Sequence, residues 1–295
     1  IYLISDGELK TLVSAPGCGR YIQLSPDGKK IGFKYISENG MQSPALLDVS
    51  NGQVQLLAEP APLCGQPSFS ACGDIVVSDT TGFTVYRKNG NSENFVTSTY
   101  ANYTAVSPDG KFVVWNDNND QLQMIDTRTK TVIAISPEGC VLPEFSPTGK
   151  YISFVSLLQR IFVYSTEQNR IVDTLYGTAP EWHPSQDLLA YTYNESEMYT
   201  VTHSEIKVFN AESGAESVIS GDSEQLFFDP AFDKSGNIYF HDQIDLGIYT
   251  FQNQKANCIY RHNGKLSMNF FESLKSSRAI ITVPGTVPYV HQVFD

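Results

Sequence analysis

Two glutamates hold matching places in successive copies of one short pattern: Glu144 in Leu142-Pro143-Glu144-Phe145 and Glu181 in Ala179-Pro180-Glu181-Trp182. Gln23, Ser68, Ala105 and Ala231 hold the same place in other copies, two residues before a turn. Neighbouring carboxylates bind a cation or a basic group of a partner. The plainer account makes Gln23, Ser68, Glu144 and Glu181 solvated side chains around a wet channel, and it carries more weight. Cys18, Cys64 and Cys140 also stand at near-equivalent places. They read as a thiol site or a Cys18–Cys64 disulfide, or more plainly as small buried hydrophobes, since no base adjoins them. With Cys72 and Cys258 the cysteines number five and include no CxxC pair, so a zinc knuckle is not expected.

The loop Asn116-Asp117-Asn118-Asn119-Asp120 is rich in oxygen but lacks the glycine and distal glutamate of an EF-hand, and reads as a polar turn. His183, His203, His241, His262 and His291 occur singly, with no HExxH and no GxSxG pattern. The expectation is therefore no metal, no cofactor and no catalytic residue in this chain. Trp115, Tyr191, Tyr193 and Tyr199 are of a type that stacks on sugars or anchors a partner, although packing between blades is the plainer account for most of them.

What must position these residues is a repeat. Segments anchored at Ser25, Ser70, Ser107, Ser146, His183 and Asp233 follow one another at intervals of 45, 37, 39, 37 and 50. Roughly 40–45 residues is the length of one four-stranded propeller blade. Each unit starts with a short strand ending in an apolar residue: Leu24, Phe69, Val106, Phe145, Trp182 or Phe232. A tight turn follows, with Pro26, Pro108 and Pro147 presetting φ and Gly28, Gly110 and Gly149 accepting a positive φ. An alternating strand comes next, as in Phe112–Trp115 or Tyr151–Phe154, then a third at Ala45–Val49, Phe83–Tyr86, Leu122–Ile125, Ile161–Tyr164, Ile206–Phe209 or Ile248–Phe251. A fourth is expected at places such as Val54–Leu57 and Val132–Ile135.

Six such meanders without helical periodicity predict an all-β, seven-bladed β-propeller of four-stranded antiparallel blades, with six blades as the alternative. The seventh blade is expected to join Leu266–Phe271 and Ala279–Val283 to the N-terminal strands Ile1–Ile4 and Leu9–Val13, closing the ring.

Composition narrows the function. The 295 residues carry a net charge of −12, with 12% aromatics and, in all, 21 Gly and 15 Pro. No basic surface is visible for phosphates, so nucleic acid is not an expected partner, and anionic lipid is disfavoured. No apolar run approaches the ~18 residues of a membrane span. The chain opens at Ile1 in an apparent strand, so removed upstream sequence is expected.

The intact Ser-Pro-Asp-Gly-Lys segments, Ser25–Lys29 and Ser107–Lys111, resemble the WD-like repeat of TolB-type propellers. The resemblance covers almost the whole chain. It implies a bacterial extracytoplasmic propeller (periplasmic, cell-surface or secreted) serving partner binding, sugar binding or substrate gating; fold does not by itself fix function. The last residues, Val287-Pro288-Tyr289-Val290-His291-Gln292-Val293-Phe294-Asp295, resemble the opening of papain-like cysteine peptidase domains of the bacteriocin-processing type. That resemblance implies an oxyanion-hole role for Gln292 in a following domain whose cysteine would lie beyond Asp295. The alternative makes Tyr289–Phe294 a third strand for the last blade, displacing Ile1–Ile4.

The expected organisation is one propeller over residues 1–285 and a linker, or the start of a following domain, over 286–295. The expected function is a monomeric, non-catalytic scaffold binding a protein or peptide on one rim, in its sharper form the substrate-recognition domain of an exported cysteine peptidase. A carbohydrate-binding or carbohydrate-processing propeller and an intracellular WD-type interaction scaffold are the alternatives.

Overall fold

In the computed structural model the Ser-Pro-Asp-Gly segments close on themselves. The Ser25 hydroxyl donates to Asp27 Oδ1 at 2.7 Å, Asp27 Oδ1 accepts the Lys29 amide at 3.1 Å, and Ser25 Oγ accepts the Lys30 amide at 2.9 Å. Ser107, Asp109, Lys111 and Phe112 repeat this circuit at 2.6, 3.0 and 2.8 Å. The Ser25 hydroxyl and then the Lys29 amide hold Asp27 below its ordinary carboxylate pKa. Where the serine is lost, another acceptor serves: His183 Nδ1 accepts the Ser185 and Gln186 amides at 3.2 and 3.1 Å, and Asp233 Oδ1 accepts those of Ser235 and Asn237 at 2.8 and 2.9 Å. The turn is thus a hydrogen-bonding circuit that several residue types complete, which is why the repeat survives degeneration.

The structure describes the chain apart from residues 6–7, 17, 19–21, 98–103, 157, 199, 221–224, 246, 253–254, 262–270, 274–278, 284–289 and 295. It divides into two compact units, residues 1–145 and 146–295. Six four-stranded sheets follow in chain order, each a simple meander. Sheet one comprises Gln23–Leu24, Lys30–Ile36, Gln42–Asp48 and Val54–Leu56, and sheet two Ser68–Phe69, Ile75–Ser78, Gly82–Tyr86 and Ser92–Val96. Sheet three comprises Ala105–Val106, Phe112–Asn116, Leu122–Asp126 and Val132–Ala134, and sheet four Cys140–Phe145, Tyr151–Ser156, Arg160–Ser165 and Arg170–Tyr176. Sheet five comprises Thr178–Trp182, Leu188–Glu197, Thr200–Asn210 and Glu216–Val218, and sheet six Phe227–Phe232, Ile238–Asp242, Gly247–Gln252 and Lys255–Arg261. The paired strands are antiparallel, as hairpin connections require.

The core lies between successive sheets. In the first unit Phe83, Val85 and Phe95 of sheet two pack with Val113, Trp115 and Ile125 of sheet three; Phe83 and Phe95 stack at 5.0 Å and Phe83 meets Trp115 at 5.4 Å. In the second unit Ile161, Val163 and Leu175 of sheet four pack with Leu189, Tyr191 and Phe209 of sheet five. Each such side chain contributes roughly 1.5–3 kcal/mol on burial. Polar contacts add register. Arg87 Nη1 donates to Asp74 Oδ2 at 2.7 Å and to the Gly110 carbonyl at 3.0 Å, and Nη2 to Thr127 Oγ1 at 3.1 Å, tying sheet two to the first turn of sheet three. In the second unit Thr148 Oγ1 reaches both Asp187 carboxylate oxygens at 2.8 and 2.7 Å.

The ends differ from the expected shared blade. Tyr2–Ser5 and Glu8–Thr11 pair with each other as a two-stranded sheet. Phe271–Ser273, Ala279–Val283 and Val290–Phe294 form a three-stranded sheet, so the place after Ala279–Val283 is taken by the C-terminal strand and not by Ile1–Ile4. A short local connection closes at a smaller entropic cost than pairing distant chain ends. The first strand expected at Leu266–Phe271 lies, but for Phe271, outside the described residues. Among the described residues no helix is long and apolar enough to cross a membrane.

Candidate functional site

Among the described residues a groove between successive sheets of one unit is matched, position by position along its strands, by one in the other unit. In the second unit the fourth strand of sheet four supplies Asp173, Thr174, Leu175 and Tyr176, and sheet five supplies Tyr191, Tyr193, Lys207, Phe209, Gly214 and Glu216. In the first unit Glu93, Asn94, Phe95 and Val96 of sheet two face Trp115, Ile125, Lys130 and Val132 of sheet three. Register fixes the correspondence. Leu175 pairs with Ile161 as Phe95 does with Phe83, and Asp173 with Val163 as Glu93 does with Val85. Phe209 pairs with Glu216 as Ile125 does with Val132, and Tyr191 with Lys207 as Trp115 does with Gln123.

The second-unit groove has an apolar floor and a charged wall. Leu175, Tyr191 and Phe209 are buried, whereas Tyr176 is exposed. The Tyr191 hydroxyl donates to Glu216 Oε2, and Lys207 Nζ donates to Glu216 Oε1 at 3.2 Å. Burial, then the bond to Glu216, pushes the Tyr191 phenol far above its ordinary pKa, so it stays a donor. Lys207 also lies 3.9 Å from Glu205 Oε2 and 4.2 Å from the centre of the Tyr193 ring. Asp173 Oδ1 accepts the Thr174 amide at 2.7 Å. The cavity is about 260 Å³, below the usual ~300–1,000 Å³ of small-molecule sites, and fits one or two side chains of a larger ligand. The strand Arg170–Tyr176 is the last of its sheet, so among the described residues one of its edges has no partner strand. Its seven residues exceed the three of Val54–Leu56, Val132–Ala134 and Glu216–Val218. Such an edge accepts an extended segment by backbone hydrogen bonding.

A second feature recurs on the first strands. Leu142, Ala179 and Asp229, each directly before a proline, have φ of 56°, 50° and 51°. The left-handed region is costly for residues with a Cβ, and such strain concentrates where structure over-determines it. At Asp229 it accompanies an acid–base pair in which His241 is buried and Asp229 half-buried. His241 is 2% exposed and its Nδ1 has no hydrogen-bond partner. Asp229 Oδ2 lies 3.7 Å from that nitrogen, beyond hydrogen-bonding distance. The Asp229 amide donates to Thr192 Oγ1 at 3.0 Å. Burial raises the Asp229 carboxyl to about 6 and lowers His241 to about 4.

The residues singled out from sequence fall elsewhere. Gln23 is half-buried and pairs with Gly32. Ser68 is buried, its hydroxyl 2.8 Å from Thr104 Oγ1 and 3.4 Å from the Val76 carbonyl. Glu144 is exposed on the first strand of sheet four, in the first unit, and Glu181 is half-buried opposite Ala190 in the second. Gln292 pairs with Ile281 on the C-terminal strand.

No disulfide joins Cys18 to Cys64, and Cys18, Cys64 and Cys140 are buried. Burial pushes the Cys64 thiol to about 11, the wrong direction for a nucleophile. Asp117 Oδ1 accepts the Asn119 and Gln121 amides at 2.8 and 3.0 Å, the geometry of a polar turn. His262 and Tyr199 lie outside the described residues. Sequence reasoning named Tyr191 and Tyr193 but missed Asp173, Tyr176, Lys207 and Glu216. Aligning the repeats strand by strand, rather than on the turn alone, is the signal that finds them.

The chain is similar in structure to the β-propeller domain of Cps50 (Swd1) from Myceliophteria thermophila, at 10% identity and a TM-score of 0.66, covering 96% of this chain and 98% of that one. It is also similar to a chain of the Mitotic Checkpoint Complex, at 12% identity and a TM-score of 0.64, covering 92% and 90%. At such identities the likeness is one of fold, that of a β-propeller. No protein-family model matches the chain, and no curated protein matches it.

Proposed function

We propose that the chain is a non-catalytic, protein-binding propeller that holds an extended segment of its partner in the groove beside Arg170–Tyr176. One observation carries the reading: a free strand edge of seven residues lies beside a cavity with an apolar floor and charged, aromatic walls. Main-chain bonding along an edge supplies affinity, and side-chain pockets beside it supply specificity. The fold-level likeness to a β-propeller domain and to a chain of a multiprotein complex is consistent with this class. The finer form has seven blades, with the three-stranded C-terminal sheet counting toward the seventh. An extracytoplasmic setting beside a cysteine peptidase rests on the Ser-Pro-Asp-Gly-Lys repeats and the C-terminal string alone.

Site-specific photocrosslinking tests the reading. A benzophenone side chain replacing Tyr176 is expected to capture a discrete partner that the same group at Leu56 of sheet one does not. Capture that is the same from both positions would overturn the groove as the binding surface.

A further inference from the structure

We propose that the groove beside Arg170–Tyr176 receives a lysine side chain from an extended segment of the partner, with Asp173 as its counter-ion. The inference rests on the reading of the chain as a protein-binding propeller. It comes from comparing the two grooves. In the first unit Lys130 Nζ makes an ion pair with Glu93 and lies 4.1 Å from the centre of the Phe95 ring. The acceptor Glu93 thus has its cations from within the chain, Lys130 and, at 3.9 Å, Arg87, in a cavity that at about 490 Å³ is the larger of the two. The second unit keeps the acceptor, Asp173 in the place of Glu93, and removes the occupant, Gly214 in the place of Lys130. A Cβ added at Gly214 would meet nothing within 4 Å.

Charge supports the same occupant. Glu216 is already held by Tyr191 and Lys207. Asp173 has only the amide of Thr174 on Oδ1, and no described cation pairs with it. The lining thus has two carboxylates, Asp173 and Glu216, and one ammonium, Lys207, and that ammonium also lies 3.9 Å from Glu205. Leu175 replaces the Phe95 ring, so the charge pair, with exposed Tyr176 beside it, takes over from the ring contact. A lysine stem covers apolar surface while its head stays at the rim, which suits a half-buried aspartate above a floor of Leu175 and Phe209.

A random ten-residue peptide display library, panned on the purified chain, tests this. The expected pool carries lysine at one fixed position and binds at one site. Gly214→Lys should supply the counter-ion of Asp173 from within and weaken the selected peptides about tenfold or more. Gly214→Ala, which carries the backbone cost without the ammonium, should leave them bound. Asp173→Asn should weaken them severalfold. Thermal melting checks that each variant is folded. A pool without a fixed lysine, or one whose binding Gly214→Lys leaves unchanged, would overturn the inference and leave the protein-binding reading standing. No enrichment on the folded chain would overturn both.

Discussion

Lys130 and Gly214 hold the same station in different sheets. The Lys130 amide donates to the Asp126 carbonyl at 2.8 Å, and the Gly214 amide to the Asn210 carbonyl at 2.9 Å. Both residues are left-handed, at φ 63° and 70°. A glycine adopts this conformation freely, whereas a lysine resists it, and what lysine gains in return is a half-exposed ion pair with Glu93. Such pairs contribute about 0–1 kcal/mol, close to the conformational cost. Lys130→Gly is therefore expected to change stability by no more than about 1 kcal/mol. Urea denaturation measures it.

Arg87 joins two sheets through one guanidinium. It holds Asp74, whose side chain is 9% exposed, together with the Gly110 carbonyl and the Thr127 hydroxyl. Removing it strands a nearly buried carboxylate and a carbonyl. Arg87→Met should cost about 3 kcal/mol or more. The double variant with Asp74→Leu should recover part of that loss, because the stranded charge goes too. Chemical denaturation of the three variants gives the coupling.

Gly236 faces the ring of His183. It has φ +84°, and a Cβ there would stand 2.2 Å from His183 Nε2. Gly236→Ala should destabilise by about 2 kcal/mol or more, from strain and overpacking together. In a His183→Ala background the steric part disappears, so the same substitution should cost measurably less. Equal costs in both backgrounds would place the effect in the backbone alone.

Asp229 and His241 give opposite pH dependences. Asp229 titrates near 6 in the fold against an ordinary 3.8, so its contribution is present at low pH and is lost as pH rises from about 4 through 6. His241 titrates near 4 against an ordinary 6.5, so its contribution is present above 6.5 and is lost as pH falls through 4. Between pH 4 and 6 the two slopes oppose each other. Asp229→Asn removes the first, so the variant's stability relative to the parent chain should rise between pH 4 and 7. Denaturation midpoints across that range check it, and a pH-independent difference would contradict the assignment.

The repeat was legible because its turn is a local circuit. Ser25, Asp27 and the amides they bind lie within five residues, so spacing alone reveals them, and the six meanders follow. The groove was not legible in that way. Asp173 and Gly214 lie in different sheets, and their matching to Glu93 and Lys130 depends on register. Register in turn depends on the shorter turn at Ser70, whose amide bonds to the Asp74 carbonyl, where the Ser107 amide bonds to that of Phe112. Anchoring on the turn residue shifts sheet two by one position and flips every side chain to the other face. Glu144 and Glu181 matched in sequence for a different reason. Each follows a proline within a first strand, a place set by the left-handed residues Leu142 and Ala179.

Amide hydrogen exchange, with and without a library-selected peptide, tests the central claim most directly. Binding along a free strand edge should slow exchange within residues 170–176 and in the facing stretch 207–216, and leave the first unit unchanged. Protection confined to the turns anchored at Ser25, Ser107 or His183, with 170–176 exchanging as before, would contradict it.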